Sequence, residues 1–239
     1  MSSSPRTFLV CHGAWSAGWA WKKMHPLMNK AGHRLVTPTY TGLGERAHLA
    51  HPAIDLETHI ADMLQVIRYE DLRDFVLIGH SYGGMVATGV ADRARDKVKQ
   101  LIYIDAFVPQ DGQSLLDLNE VARSRMQEAT KSGDGWRVPP NPTPPDTSPE
   151  DVAWLSERRV HMPIKCFEQK LKLSAPLTLP RSYIYARRVT LQDTFGPFAK
   201  MTKNNPAWRY DEIDASHSPN VTAPDALMDL LERIALGAA

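Results

Sequence analysis

Cysteine is nearly absent from this sequence, which has two cysteines among 239 residues. Two cysteines cannot build the disulfide framework that is typical of small secreted domains. Cys11 lies in an apolar stretch, and we expect Cys11 and Cys166 to be reduced thiols in the core. The opening MSSSPRTFLV lacks the basic start and long apolar run of a signal peptide or membrane anchor. We therefore expect a soluble, cytoplasmic protein.

An excess of one charge sign is lacking as well. Lysine and arginine total 28, aspartate and glutamate total 27, and no dense basic run is present. This balance argues against a nucleic-acid partner and against an anionic membrane. No pair of histidines has a zinc-ligand spacing with an acidic residue nearby, so no metal site is predicted. A homodimer is allowed by the sequence, which carries no specific signal for one.

Short apolar runs alternate with longer helical patterns along most of the chain. Strands are predicted at residues 7–11, 34–38, 75–79, 100–105, 181–186 and 208–213, and helices at residues 19–31, 56–69, 82–95 and 225–236. Several of the strands are apolar almost throughout, which is typical of a parallel sheet covered by helices on both faces. The alternation predicts an α/β fold with a doubly wound, mostly parallel sheet of about six strands.

This alternation stops between residues 110 and 178. Six of the 18 prolines fall in the 14 residues from 138 to 151. Near the end of this proline-rich stretch, Ser148 can cap a helix that has Pro149 at its first position. No strand pattern neighbours that helix. We therefore predict an inserted helical cap, or lid, at residues 111–177, between two core segments at 1–110 and 178–239.

The sequence GHSYG at residues 79–83 fits the G-x-S-x-G pattern of a nucleophile elbow, between a predicted strand and a predicted helix. A serine at such a junction lies in a strained turn with its hydroxyl above the sheet. Side chains two positions before and after it would collide with neighbouring backbone, which explains Gly79 and Gly83. The N–H groups at the start of the helix can stabilise an oxyanion there. Ser81 is therefore the predicted nucleophile, and a simple tight turn is the alternative.

A serine hydroxyl is a poor nucleophile unless a base activates it. In hydrolases that use this turn, the catalytic residues follow the order serine, acid, histidine along the chain. His217 is the only histidine after residue 161, and it lies just beyond the last predicted strand. We predict that His217 is the base; an ordinary surface histidine is the alternative. The position of His80 inside the elbow prevents its side chain from serving Ser81.

Four stretches resemble a known family: VCHGAWSAGWAW, TYTGLGERAHL, GHSYGGMVATGVADR and YIDAFVPQDGQSL. They are similar to the bacterial branch of an α/β-hydrolase family that includes the plant salicylate-type methylesterases and the hydroxynitrile lyases. The similarity covers nearly the whole sheet domain and, more weakly, the cap. In this family the loop after the first strand donates a backbone N–H to the oxyanion. The resemblance implies that Ala14 and Tyr82 supply the two donors and that His12 braces the loop.

The same resemblance favours ester hydrolysis over cyanide elimination. Hydroxynitrile lyases of the family carry a threonine after the first-strand histidine and a lysine after the catalytic histidine. Here those positions are Gly13 and Ser218, so a leaving cyanide would have no cation to stabilise it. Two alternatives remain open, because a fold alone does not fix function. One is a non-hydrolytic enzyme, either a lyase or a cofactor-independent oxygenase, and the other is a receptor-like binder of small molecules.

The catalytic acid departs from the family pattern. The family usually places it after the next-to-last strand, in a stretch resembling CTEDKAIP, where this chain reads YARRVTLQDTF with Val189 at the aspartate position. Asp105 ends a predicted strand, and some α/β-hydrolases carry the acid there. Asp193 lies a few residues beyond the family position. We favour Asp105 because strand ends hold catalytic groups more rigidly than loops. Asp214 is too close in sequence to His217 to orient it.

These residues predict a serine esterase that works by acyl transfer without a cofactor or metal. The expected partner is a small, largely apolar or aromatic carboxylic ester. Ligand pockets are lined mainly by apolar and aromatic side chains, most of them here expected from the cap. The side chains predicted to line the pocket are Trp15, Phe107, Trp136, Trp154, Met162 and Phe167.

Overall fold

Six strands form one sheet in the computed structural model of the chain, which describes residues 5–189, 192–235 and 237. The strands in chain order, including β5 and β6 of a second, smaller sheet, are β1 (Thr7–Cys11), β2 (Arg34–Val36), β3 (Phe75–His80), β4 (Val98–Ile104), β5 (Arg137–Val138), β6 (Met162–Pro163), β7 (Arg181–Ala186) and β8 (Trp208–Ile213). The main sheet has the order β2-β1-β3-β4-β7-β8, and every neighbouring pair in it is parallel. The predicted doubly wound parallel sheet is confirmed.

The helices are α1 (Met24–Lys30), α2 (Leu56–Tyr69), α3 (Gly83–Arg93), α4 (Leu115–Leu118), α5 (Glu120–Ser132), α6 (Pro149–Ser156), α7 (Lys165–Glu168), α8 (Gly196–Lys203), α9 (Pro219–Thr222) and α10 (Pro224–Ala235). The single helix predicted at residues 19–31 is wrong. A 3₁₀ turn at Gly18–Trp21 precedes α1 there. Pro26 has no N–H to bond the carbonyl of Lys22, so it fits only in the first turn of a helix. The helix predicted at 225–236 ends on Leu236, which lies outside the described residues.

Side chains of successive residues on β1 point to opposite faces of the sheet, as the pleat of a strand requires. Phe8 and Val10 pack in the cluster formed with α1 and α10. Leu9 and Cys11 pack in the larger cluster formed with α2 and α3. Both faces of the sheet are therefore covered, which accounts for the near-continuous apolar runs in the sequence.

The two cysteines are buried and unpaired, as predicted. Burial raises the pKa of both thiols, so they stay protonated. Within the described ranges, none of the helices has the length and apolar character that a membrane crossing requires.

The chain between β4 and β7 holds the short helices α4 to α7 and the small antiparallel sheet β5–β6. In this segment Ser148 Oγ accepts a hydrogen bond from the Asp151 N–H at 3.1 Å, and Pro149 occupies the first turn of α6. The segment carries part of the wall of the cavity described below. Its status as a separate cap subdomain at 111–177 stays a prediction.

Candidate active site

Ser81 stands between β3 and α3 with a backbone φ of 56°, a left-handed conformation that non-glycine residues rarely adopt. The glycines around it are required by close packing. A Cβ on Gly83 would collide with the carbonyl oxygen of Cys11, and a Cβ on Gly79 would lie 2.9 Å from the Cβ of Ala87. The turn therefore stores local strain and lifts the serine to the carboxyl edge of the sheet, where open α/β sheets bind ligands.

His217 lies in the loop between β8 and α9 and contacts both Ser81 and Asp105. Its Nε2 is 3.0 Å from Ser81 Oγ, and its Nδ1 is 2.7 Å from Asp105 Oδ2. Asp105 directly follows β4, is 4% exposed and has a φ of 41°. The three residues follow three different parallel strands, which meet at one edge of the sheet. The structure therefore brings the predicted nucleophile, base and favoured acid into one hydrogen-bonded chain.

The carboxylate of Asp105 determines which nitrogen of His217 carries the proton. Because a carboxylate only accepts, Nδ1–H donates to it and leaves the Nε2 lone pair for the hydroxyl of Ser81. Burial raises the pKa of the Asp105 carboxyl, whereas the hydrogen bonds from His217 and from the Ala186 N–H favour the ionised form. The arrangement can accept a proton from Ser81 and stabilise the imidazolium that results.

The other candidate acids have different partners. Asp193 accepts hydrogen bonds from the Tyr185 hydroxyl at 2.9 Å and from the Gly196 N–H at 2.6 Å, near the start of α8. Asp214 is paired with the guanidinium of Arg188 at 3.1 Å. Among the described residues, Asp105 is thus the carboxylate in hydrogen-bond contact with the ring of His217.

Two further residues hold His217, and sequence reasoning did not assign them this role. His80 Nε2–H donates to the carbonyl oxygen of His217 at 2.7 Å. Burial lowers the pKa of His80 to about 3, so this side chain is neutral. On the other side, the ring of Phe195 stacks on the imidazole with a centroid distance of 4.8 Å and an interplanar angle of 7°. His80 thus fixes the backbone of the candidate base through its bond to the His217 carbonyl, and its inability to serve Ser81 stays a prediction.

The loop after β1 is braced by His12. Its Nδ1–H donates to the Gly13 carbonyl at 2.9 Å, and its Nε2 accepts from the Tyr40 N–H at 3.3 Å. Burial lowers the pKa of His12 to about 3, which keeps the ring neutral and suited to accept. The backbone N–H groups of Ala14 and Tyr82 donate to no other residue in the part of the chain that the structure describes. Both residues line the cavity and can donate to an oxyanion.

Trp15 ties this loop to the inserted segment. It has a φ of 58°, again a left-handed conformation in a non-glycine residue, and its indole N–H donates to the Val138 carbonyl in β5 at 2.9 Å. Strain of this kind persists only where surrounding contacts hold it. The position of Ala14, one residue earlier, therefore depends on a contact made across the cavity wall.

A cavity of about 1060 Å³ opens above Ser81 and His217. Of the aromatic residues expected there, Trp15, Phe107 and Phe167 line it. Together with Leu115 and Met126 they give one side of the cavity an apolar surface. Among the described residues, no group of three or more His, Cys, Asp or Glu side chains could hold a metal ion. The absence of a cofactor stays a prediction.

Trp136, Trp154 and Met162 are not part of the cavity wall, contrary to expectation. Trp154 packs edge-on against Trp19 at a centroid distance of 5.1 Å. The other two are also engaged elsewhere: Trp136 lies under the guanidinium of Arg137, and Met162 is fully buried in the core.

The residues that α6 and the turn after it do present to the cavity are Leu155 and Arg159. Positions four apart share a helix face, and Trp154 falls outside that face. The i,i+4 spacing of Leu155 and Arg159 is therefore the signal that could have identified this wall.

The buried histidines around the site predict a steep loss of stability in acid. Burial lowers the pKa of His12 and His80 to about 3 and that of His59 to about 4, from 6.5. Unfolding therefore takes up protons below about pH 6.5, and the free energy of unfolding falls as the pH falls toward these values. Three such groups give a slope of up to about 4 kcal/mol per pH unit. The raised pKa of Asp105 acts in the opposite direction and offsets at most one proton.

Urea unfolding at a series of pH values from 7.5 to 4.5 measures this slope. The His59→Gln variant should show a slope reduced by about one third, because one of three protons is removed. His48→Gln changes an exposed histidine and should leave the slope as it is. Equal slopes for all three proteins would contradict the assignment.

The profile of the alpha/beta hydrolase family matches residues 8–230. The chain belongs to the α/β-hydrolase family. The carbendazim hydrolyzing esterase of Nocardioides sp. is 36% identical over an alignment of 240 positions that covers 94% of this chain and 97% of that protein. Methylesterase 8 of Arabidopsis thaliana is 28% identical over an alignment of 112 positions that covers 43% of this chain and 38% of that protein.

A solved structure shows the same architecture. An extracellular α/β-hydrolase from a Paenibacillus species, described as sharing structural and functional homology with tobacco salicylic acid binding protein 2, superimposes with a TM-score of 0.83. It is 24% identical and covers 96% of this chain and 98% of its own. The predicted family branch, the α/β-hydrolase fold and the enzyme class, carboxylic ester hydrolase, are confirmed. The cytoplasmic location and the homodimer stay predictions.

Proposed function

We propose that this hydrolase is a serine esterase that cleaves a small, largely apolar or aromatic carboxylic ester through an acyl-serine intermediate. The observation that carries the proposal is the hydrogen-bonded chain from Ser81 through His217 to Asp105, with distances of 3.0 and 2.7 Å. It opens into a cavity whose volume suits a small molecule.

In the proposed reaction, His217 Nε2 takes the hydroxyl proton of Ser81 as Oγ attacks the carbonyl carbon of the ester. The carbonyl oxygen becomes an oxyanion that accepts hydrogen bonds from the N–H groups of Ala14 and Tyr82. Each donor of this kind is typically worth about 2.7–4 kcal/mol in the transition state. The bond to the alcohol then breaks, and His217 gives the alcohol its proton. Water repeats the sequence on the acyl-serine and releases the acid.

The substrate class follows from the cavity wall. Trp15, Phe107 and Phe167 offer flat apolar surfaces, which suit an aromatic or branched apolar group. The similarity to a carbendazim hydrolyzing esterase makes carbendazim a further compound to test, alongside aryl and methyl esters. A lyase of this family would need a cation beside the candidate base, and here that position holds the neutral Ser218.

Pre-steady-state kinetics tests the acyl-serine directly. With a p-nitrophenyl ester, the wild type should release about one equivalent of p-nitrophenol per site in a burst if deacylation is slower than acylation. A fluorophosphonate should label Ser81, and a methyl aryl ester present in excess should slow the labelling. Label on another serine, or stable ester binding without any turnover, would contradict the proposal.

A further inference from the structure

Two arginines of the inserted segment converge on one residue of the cavity wall. Arg159 Nη1 donates to the backbone carbonyl of Asn141 at 2.6 Å, and Arg125 Nη2 donates to the side-chain oxygen of Asn141 at 3.1 Å. All three residues line the cavity. Within the described ranges, neither arginine has a carboxylate close enough to form an ion pair. Both positive charges therefore face the cavity with only neutral acceptors.

The position of Arg159 costs free energy as long as no anion is bound to it, whereas Arg125 is exposed to solvent. Arg159 is partly buried, and burial lowers the pKa of its guanidinium without any carboxylate to counter the effect. Desolvated cations are usually paired, since an unpaired one loses hydration without compensation. The neighbouring Arg158 and the cavity-lining Arg188 are paired, with Glu157 and Asp214 respectively. Arg125 and Arg159 differ in this respect from Arg158 and from Arg188.

The location of Arg159 relates the charge to the proposed chemistry. Its guanidinium carbon lies 5.9 Å from the centroid of the Trp15 ring, and Trp15 directly follows the candidate oxyanion donor Ala14. A ligand that places its carbonyl near Ala14 can therefore extend past Trp15 toward Arg159. Guanidinium groups bind carboxylates in a planar, two-point geometry that no neutral acceptor reproduces.

We infer that the ester cleaved by this enzyme carries a free carboxylate remote from the scissile bond, held by Arg159 and Arg125. The inference rests on the proposed function and narrows its substrate class to monoesters of dicarboxylic acids with an apolar or aromatic spacer. The spacer lies against the apolar wall, and hydrolysis of the ester gives a dicarboxylate and an alcohol.

A matched pair of substrates tests the inference. Monomethyl terephthalate carries the carboxylate, and methyl 4-carbamoylbenzoate replaces it with a neutral amide of similar shape. The wild type should favour the first by about 10- to 100-fold in kcat/KM, as expected for hydrogen bonds to a charged group. Arg159→Gln and Arg125→Gln should each bring this ratio toward one. Arg159→Lys should give an intermediate ratio, because the charge stays but the planar fork is lost.

Arg158→Gln is the control, because Arg158 precedes Arg159 directly, bonds to Glu157 and lies outside the cavity wall. It should leave the ratio unchanged. Binding of terephthalate, measured by calorimetry against terephthalamide, gives a readout that does not require turnover. Its affinity should fall about 10-fold or more in Arg159→Gln.

The outcomes separate the two proposals. Equal kcat/KM for both esters in the wild type, or equal loss of the ratio in Arg158→Gln and Arg159→Gln, would overturn the carboxylate site while ester turnover still supports the esterase. Terephthalate binding that depends on Arg159, without turnover of any ester, would support the carboxylate site and overturn the proposed esterase function.

Discussion

Replacing Ser81 or His217 with alanine is expected to lower kcat for ester hydrolysis by about 10⁶, and the double variant should be no slower than either single variant. The two side chains act as one unit, since the hydroxyl at 3.0 Å from Nε2 becomes nucleophilic only as its proton leaves. Loss of either member therefore removes the whole pathway. Residual catalysis would come from the oxyanion donors and from substrate binding alone. Steady-state hydrolysis of a p-nitrophenyl ester measures the effect.

Ser132→Ala provides a matched control, because the Ser132 hydroxyl donates only to carbonyls of its own helix α5. It should retain wild-type kcat. A Ser81→Ala enzyme that keeps more than about 1% of wild-type kcat would contradict the nucleophile assignment, since serine hydrolases lose far more. If such an enzyme still depended on His217, base chemistry without a covalent intermediate would replace the proposed mechanism.

Much of this site could be predicted because it depends on local constraints. The glycines at 79 and 83 follow from backbone collisions that any strand–turn–helix junction of this shape imposes. The order serine, acid, histidine then left His217 as the one histidine in the right part of the chain. The strands were equally accessible, since burial on both faces leaves a run of apolar residues that needs no tertiary information.

The cavity wall could not be predicted in the same way. Trp154 and Arg159 lie near each other in the sequence, but the orientation of α6 decides which of them reaches the cavity. That orientation is set by contacts between distant segments, such as Trp154 on Trp19. Its apolar character favoured Trp154 as a residue of the wall, whereas the structure places Arg159, a cation without a carboxylate partner among the described residues, there. Preferences of single residues do not contain this information.

The choice of acid also depended on loop geometry. Both Asp105 and Asp193 are compatible with the order of residues along the chain. A strand end restricts where Asp105 can lie, whereas the position of Asp193 depends on the bonds it makes with Tyr185 and Gly196. These bonds occupy both of its carboxylate oxygens, and only the three-dimensional structure shows them.

The Asp105→Asn variant should lower kcat by about 10⁴, the loss that is typical when the acid of such a triad becomes an amide. An amide can donate to Nδ1, which favours the tautomer whose Nε2 carries the proton and cannot accept one from Ser81. It also leaves the imidazolium without an anion. Burial raises the pKa of Asp105, so an uncharged replacement removes a desolvation cost. We therefore expect the free energy of unfolding to be unchanged or higher while kcat falls, as urea unfolding and ester hydrolysis measured on the same preparation will show.

Asp193→Asn is the matched control for this prediction, because Asp193 lines the same cavity but is bonded to Tyr185 and Gly196. Its kcat should fall by less than about 10-fold, the effect expected when only neighbouring hydrogen bonds change. A reversed order of the two variants would assign the acid to Asp193 and require the loop before α8 to move onto His217. A small effect in both would mean that His217 needs no carboxylate, and the acyl-transfer mechanism would then lose the orientation of its base.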